Sequence, residues 1–246
     1  MFYTRIPIPK ETAYSDDLLN ESRTYFPAIG IIVGSFGALC FLLSAHFLPL
    51  SIAIALSMTS TILITGAFHE DGFADSCDGL GGGWSSEQVL IIMKDSRLGT
   101  YGCIGLISII GIKYLALFEL AQLNLFLFCA LLIYSHTLSR TCASAIIEYY
   151  DYVQDVQQSK VKPITDRRLS SQQKKLSLLI TIVPAILLAC SNFDLIGSLI
   201  LSCLLAGFIS WSWAYYCKRR INGYTGDTLG ATQQLSEISI YLVFLM

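Results

Sequence analysis

The stretch IAIALSMTSTILITGAF (Ile52–Phe68) runs without a break into HEDGFADSCDGLGGG (His69–Gly83). The first part is apolar and, at about 1.5 Å per residue, nearly long enough to cross a hydrocarbon core about 30 Å thick. The second part holds four carboxylates, Glu70, Asp71, Asp75 and Asp78, with no Lys or Arg among them. Their junction marks where a membrane helix leaves the bilayer or continues past its surface. In a helix, Asp71, Asp75 and Asp78 stand at i, i+4 and i+7 and share one face. Like charges this close repel unless a cation lies between them or some are protonated. Mg²⁺ takes oxygen ligands, typically carboxylates together with waters and substrate phosphates. Gly81, Gly82 and Gly83 then allow backbone to approach a ligand closely. The stretch reads as a metal–diphosphate site. The plainer alternative, a solvated acidic loop, usually mixes in Lys, Ser and Pro.

Working outward, 54% of the 246 residues are hydrophobic and 14% charged, against about 25% charged in soluble domains. Mean hydropathy is +0.59. These values predict an integral membrane protein, with residues 1–246 as a single domain in contact with the lipid bilayer. No basic stripe with interleaved aromatics supports nucleic acid binding. The eight cysteines (Cys40, Cys77, Cys103, Cys129, Cys142, Cys190, Cys203, Cys217) form no C-x-x-C pair and read as small buried hydrophobes. Residues 1–27 hold Arg5, Lys10 and Arg23 without an apolar core. They are expected to lie on the membrane surface and are no secretory signal.

Six apolar runs follow: Ile29–Leu48, Ile52–Phe68, Cys103–Leu120, Leu123–Ile147, Leu176–Ala189 and Leu195–Tyr216. Short turns pair them around Pro49, Ala121 and Ser191. The predicted fold is all-α, a polytopic helix bundle of about six transmembrane helices in three hairpins. A final short apolar run, the nine residues Ile238–Met246, is too short to span and reads as re-entrant, surface-lying or a partly formed last span. Pro184 is a candidate kink, and Trp211, Trp213, Tyr215 and Tyr216 fall where an interfacial aromatic belt would lie. Apart from Lys113 and Arg140, every Lys and Arg falls in the four polar segments and none in the short turns. The positive-inside rule puts those segments in the cytoplasm, for a multi-pass protein of the cell (inner) membrane.

Three of those segments carry chemistry. After a helix start at Ser85-Ser86-Glu87, the run Lys94-Asp95-Ser96-Arg97-Leu98-Gly99-Thr100-Tyr101-Gly102 combines two cations with hydroxyls and glycines. Arg97 can grip phosphate oxygens with two prongs and Lys94 adds a point charge, while Asp95 is a further candidate metal ligand. Asp227 lies among glycines in Gly223–Ala231 and repeats the logic of the acidic stretch; Glu237 follows ten residues later. Thr4-Arg5-Ile6-Pro7 reads equally as an anion contact or as a positive anchor. The Glu148–Lys175 segment, with Lys160, Lys162, Arg167, Arg168, Lys174 and Lys175, is either a solvated connection or a nucleotide-lining loop. A charge at membrane depth is expensive; Arg140 either snorkels or faces the cleft, the cleft being preferred. His136 reads as a buried hydrogen-bonding His, and Lys113 has no evident acidic partner or role. Carboxylates at helix ends, not mid-span, favour chemistry on cytosolic substrates over transport.

The His69–Gly82 motif, the Lys94–Gly102 motif and Gly226-Asp227-Thr228-Leu229-Gly230-Ala231 together resemble the cobalamin synthase family, the adenosylcobinamide-GDP ribazoletransferases, over Thr4 to Glu237. The resemblance implies a Mg²⁺-dependent membrane enzyme that joins adenosylcobinamide-GDP to α-ribazole or its 5′-phosphate and releases GMP. It implies metal ligation by Asp71, Asp75 and Asp78 with Glu70 or Asp95, and charge neutralisation on GMP by Lys94 and Arg97. Arg140, Gly81, Gly82 and Asp227 would contact substrate, with Asp227 open to either metal or ribose. His69 is open to two roles, proton acceptor or hydrogen-bonding support. At Tyr149–Asp155 the chain departs from the family's Arg followed by Gly-Leu, and no role is carried over there. A CDP-alcohol phosphotransferase shares spaced aspartates at a membrane helix end, but its Ala-Arg pair and longer spacing are missing; a divalent-cation or metabolite transporter is the other alternative. The oligomeric state is open, a homo-oligomer included.

Overall fold

The computed structural model describes residues 3–7, 9, 15–153 and 167–246. Lys10, Lys160 and Lys162 lie outside the described residues, so the nucleotide-lining reading of that loop does too. Among the described residues the chain is helical and without strands; a single bridge joins Tyr152 to Tyr224. We number the helices α1 (Asp16–Ser22), α2 (Phe26–Ala45), α3 (Leu50–Thr65), α4 (Phe68–Gly82), α5 (Ser86–Met93), α6 (Thr100–Leu123), α7 (Leu125–Tyr149), α8 (Ser171–Ser191), α9 (Ile196–Ile221) and α10 (Gly226–Val243). Among the described residues five segments are long and apolar enough to cross a membrane; α3 and α4 pass only as a pair, bent by 86°, as a broken span or a re-entrant loop does.

The expected hairpins are present as α2–α3, α6–α7 and α8–α9. The turns at Asn124 and at Ser191–Leu195 gather at one end of the bundle. The polar segments gather at the other. There Arg5 N–H donates to Ile64 O (2.7 Å), and Arg23 reaches Glu148 (2.6 Å). Tyr224 N–H donates to Asp151 O (3.0 Å). The most extensive packing is α2 on α7. Gly30 and Gly34 make it possible, because a Cβ at either would run into the α7 backbone at His136–Thr137 or Leu132–Ile133. Close approach through small residues is how helices associate in lipid, where apolar burial drives little. Phe41 of α2 and Phe128 of α7 (ring centroids 4.3 Å) continue the contact toward the turn end.

Several expectations need correcting. The stretch before Phe26 is partly built into the bundle: α1 and a 3-10 turn at Arg23–Tyr25 lead straight into α2, and Arg23 is fully buried. The second apolar run is not one straight helix. It breaks at Gly66 and Ala67, both left-handed (φ 70° and 58°), and α4 departs at 86°. Ile238–Met246 is not surface-lying: most of it ends α10, which is buried along most of its length. Of the cysteines, Cys142 and Cys217 are buried, whereas Cys103, Cys190 and Cys203 are exposed on the bundle. Pro184 sits inside an unbroken α8. The aromatic group is split: Trp211, Tyr215 and Tyr216 are exposed, while Trp213 donates its indole N–H to Thr228 O (3.0 Å).

The left-handed Ala67 costs roughly 1–2 kcal/mol relative to a right-handed residue. Glycine removes that steric cost but loses about 0.5–1 kcal/mol of chain entropy. Ala67→Gly is therefore expected to leave thermal unfolding in detergent unchanged or raised by about 1 kcal/mol. Ala67→Val is expected to lower it.

Candidate active site

The acidic stretch is helical as its spacing predicts. Glu70 and Asp71 occupy the first turn of α4, where the helix N-terminus favours negative charge. Along the shared face Asp71 is exposed, Asp75 partly buried and Asp78 buried. Asp78 accepts hydrogen bonds from the backbone N–H groups of Gly99 (2.7 Å) and Gly102 (2.8 Å). It thus caps α6 from a neighbouring helix and ties the end of α4 to the start of α6. Gly99 and Gly102 have a packing reason to be glycine: a Cβ at either would occupy the space of the Asp78 carboxylate.

The N-terminus of α10 lies across α4. A Thr225–Thr228 capping box starts the helix, which sets Asp227 in its first turn. Gly72 faces Asp227 so closely that a Cβ would stand 2.9 Å from its Cα and carbonyl oxygen. Gly72→Ala is accordingly expected to cost about 1–3 kcal/mol, as overpacking does, read by thermal unfolding in detergent. Through this contact Asp75 stands in the combined field of Asp227, Asp71 and Asp78. Among the described residues, neither Asp71 nor Asp75 forms an ion pair with Lys or Arg. The side chains there do not group three His, Cys, Asp or Glu donors as a metal site would. Hard carboxylate oxygens in mutual repulsion nonetheless suit Mg²⁺, which usually takes one or two carboxylates and completes its octahedron with water and substrate phosphate.

The basic loop flanks this face. A capping box of Ser85 and Gln88 starts α5, as Ser85-Ser86-Glu87 predicts, and Lys94 at its C-terminal end is exposed. Arg97 grips Asp95 with two prongs (Nε–Oδ1 3.0 Å, Nη2–Oδ2 2.6 Å). Those bonds hold the Asp95 carboxyl down to about 2. The pair is solvent-exposed, so it stabilises little and can open toward an anion. Gly81 and Gly82 are exposed at the end of α4; Gly81 lies against the Tyr101 ring. Neither has a left-handed backbone, since Gly66 holds the positive glycine φ among the described residues. Two further cations approach. Arg220 donates to Gly83 O (2.7 Å), and Arg5 lies over Gly66 at the α3–α4 corner. The Arg5 motif was legible as an anion contact or anchor; Arg220 drew no site reading because it lies in a run of three consecutive cations, Lys218-Arg219-Arg220.

The other face of α4 is sealed into the bundle. His69 is buried against Phe26 and Phe68, and its Nε2 has no partner among the described residues. Glu70 accepts from Gln234 Nε2 (2.9 Å). Arg140, buried and neither snorkelling nor open to solvent, donates to His136 O (2.8 Å) and stacks over Phe26. His136 is buried as expected, 3.6 Å from Glu237. Lys113 does have an acidic partner, Glu237 at 3.3 Å, more than 120 positions away in sequence.

The whole chain also matches known proteins. A family model described as cobalamin-5-phosphate synthase covers residues 1–245. Proteins called adenosylcobinamide-GDP ribazoletransferase are similar along nearly their full length. The one from Shewanella woodyi is 44% identical over 245 residues, 99% of this chain and 92% of the relative. That from Leptothrix cholodnii is 40% identical over 250 residues, with the same two coverages of 99% and 92%. That from Shewanella frigidimarina is 44% identical over 248 residues, 99% of this chain and 91% of the relative. No solved structure matches. The match of the family model along residues 1–245, with relatives 40–44% identical over nearly their full length, places the chain in the cobalamin-5-phosphate synthase family.

Proposed function

We propose that the chain joins adenosylcobinamide-GDP to α-ribazole or its 5′-phosphate and releases GMP, as the names of its relatives indicate for them. The observation that carries this reading is the contact of Gly72 with Asp227. It sets carboxylates from two helices side by side, next to a loop holding Lys94 and Arg97. A diphosphate with its cation needs that pairing of anionic and cationic surfaces.

In this reading Asp71, Asp75 and Asp227 would hold Mg²⁺ beside the diphosphate, and the cation would supply charge neutralisation for the phosphoryl oxygens. Phosphoryl transfer is catalysed mainly by positioning and charge stabilisation. Arg97 leaves Asp95 to take phosphate oxygens of the GMP portion, and Lys94 and Arg220 add positive charge beside it. A ribose hydroxyl of ribazole other than the 5′ one, which is already esterified in the 5′-phosphate, attacks the phosphorus attached to cobinamide. That P–O bond forms as the bond to GMP breaks, and GMP leaves with the electron pair. With His69 buried on the bundle side of α4, we assign the hydroxyl proton to exposed Asp71, through the carboxylate oxygen not used on the cation. The site faces the cytoplasm, because Lys and Arg crowd that end of the bundle.

The test is GMP release by purified protein in detergent. Release that requires both substrates and stops on chelation of divalent cations is expected. Transport of labelled substrate with no GMP formed would instead favour a carrier.

A further inference from the structure

The buried layer under α4 contains a closed ring of three hydrogen bonds and one ion pair. Lys113 Nζ donates to Gln234 Oε1 (2.7 Å). Gln234 Nε2 donates to Gln233 Oε1 (2.9 Å), and Gln233 Nε2 to Glu237 Oε2 (2.8 Å). Glu237 Oε1 returns to Lys113 at 3.3 Å. All four side chains are buried. The direction of the ring is forced, since an ammonium only donates and a carboxylate only accepts. Gln234 must therefore turn its carbonyl to Lys113, leaving its amide N–H groups for the acceptors. One of those acceptors lies outside the ring: Glu70 Oε1, at 2.9 Å, in the first turn of α4.

We propose that Gln234 is a positioning residue for the acidic face of α4, acting through Glu70. This deepens the proposed function and rests on it. Glu70 is adjacent to Asp71 and five residues before Asp75, so fixing its carboxylate fixes the roll of the helix that presents both. The ring is anchored on α6 by Lys113 and on α7 by Ser139, which accepts from Gln233 (3.1 Å). A polar ring tied to three helices sets the angle of a fourth, where apolar packing alone would tolerate rotation.

The test uses Gln234→Leu, Gln234→Glu, Glu70→Gln and the swap that combines the last two. The readouts are thermal unfolding, kcat and KM in GMP release, and Mn²⁺ affinity by electron paramagnetic resonance without substrate. Gln234→Leu is expected to lower kcat per folded enzyme about tenfold or more, with both KM values within about twofold, the pattern of a defect felt in the transition state. Mn²⁺ binding should weaken several-fold. Gln234→Glu, with carboxylate against carboxylate, should also fail. The swap restores a donor–acceptor pair and should recover most of the lost kcat. Gln234→Leu with wild-type kcat and Mn²⁺ affinity would overturn the proposal. A swap no better than Glu70→Gln alone would overturn it too, by giving the Glu70 carboxylate a direct role. If Gln234→Leu does not fold, the swap decides. Absence of GMP release by the wild-type protein would sink the proposed function, while Mn²⁺ affinity would still report on the ring.

Discussion

Asp75→Asn is expected to lower turnover by at least about 10²-fold, the scale on which removing one preorganised electrostatic contact acts, while leaving the protein as stable as before or more so. Both halves follow from one geometry. Asp75 is the member of the acidic face closest to the centre of charge, flanked by Asp71 and Asp78 on its own helix and by Asp227 across the Gly72 contact. Replacing a carboxylate with a neutral amide of the same shape relieves that repulsion without leaving a cavity. In the proposed function it also removes a carboxylate that would hold the cation between the two helices. GMP release with both substrates in excess Mg²⁺ measures the first effect, and thermal unfolding in detergent without Mg²⁺ the second. Near-normal turnover removes Asp75 from the site; a clear loss of stability makes its role one of folding.

Glu237→Met is expected to be the most destabilising substitution in the bundle, at about 3–5 kcal/mol, the range for stripping one partner from a buried ion pair. Glu237 is buried, 3.3 Å from Lys113 and 3.6 Å from His136. It also accepts from Gln233 and from Tyr241 (3.1 Å). Its loss leaves Lys113 with Gln234 alone and leaves buried Arg140 without its nearest negative charge. Lys113→Met should cost less, because His136 and Arg140 still neighbour Glu237. Making both changes together should recover much of the loss, since apolar pairs replace buried ion pairs with little cost. Unfolding midpoints of the three variants in one detergent check the order. A double variant as unstable as Glu237→Met alone would show that Arg140, not Lys113, depends on that carboxylate.

The helical class and the three hairpins were legible because each long apolar run is a local signal, set by the thickness of the bilayer. The i, i+4, i+7 spacing of Asp71, Asp75 and Asp78 was legible for the same reason. What escaped were relations between distant segments. Lys113 looked partnerless because Glu237 is brought to it only by tertiary packing. Asp78 looked equal to Asp71 and Asp75, yet only folding shows it spending its oxygens on Gly99 and Gly102. The glycines of the basic loop suggested ligand approach, and two of them make room for that carboxylate. The break at Gly66–Ala67 was invisible because hydropathy continues through it while the backbone turns. The last helix was undervalued because its polar first half masked an element that hides from both lipid and water.

That helix also constrains how the protein is made. α10 carries Gln233, Gln234 and Glu237, and a charge at the centre of an inserting helix costs about 3 kcal/mol on the translocon scale. It is not among the segments apolar enough to span, so the insertion machinery has no reason to release it sideways into lipid. It must enter a slot already walled by α4, α6, α7 and α9, all synthesised before it. Docking of α10 then delivers Asp227 to Asp75, so the second set of carboxylates arrives only after α4, α6, α7 and α9 are in place.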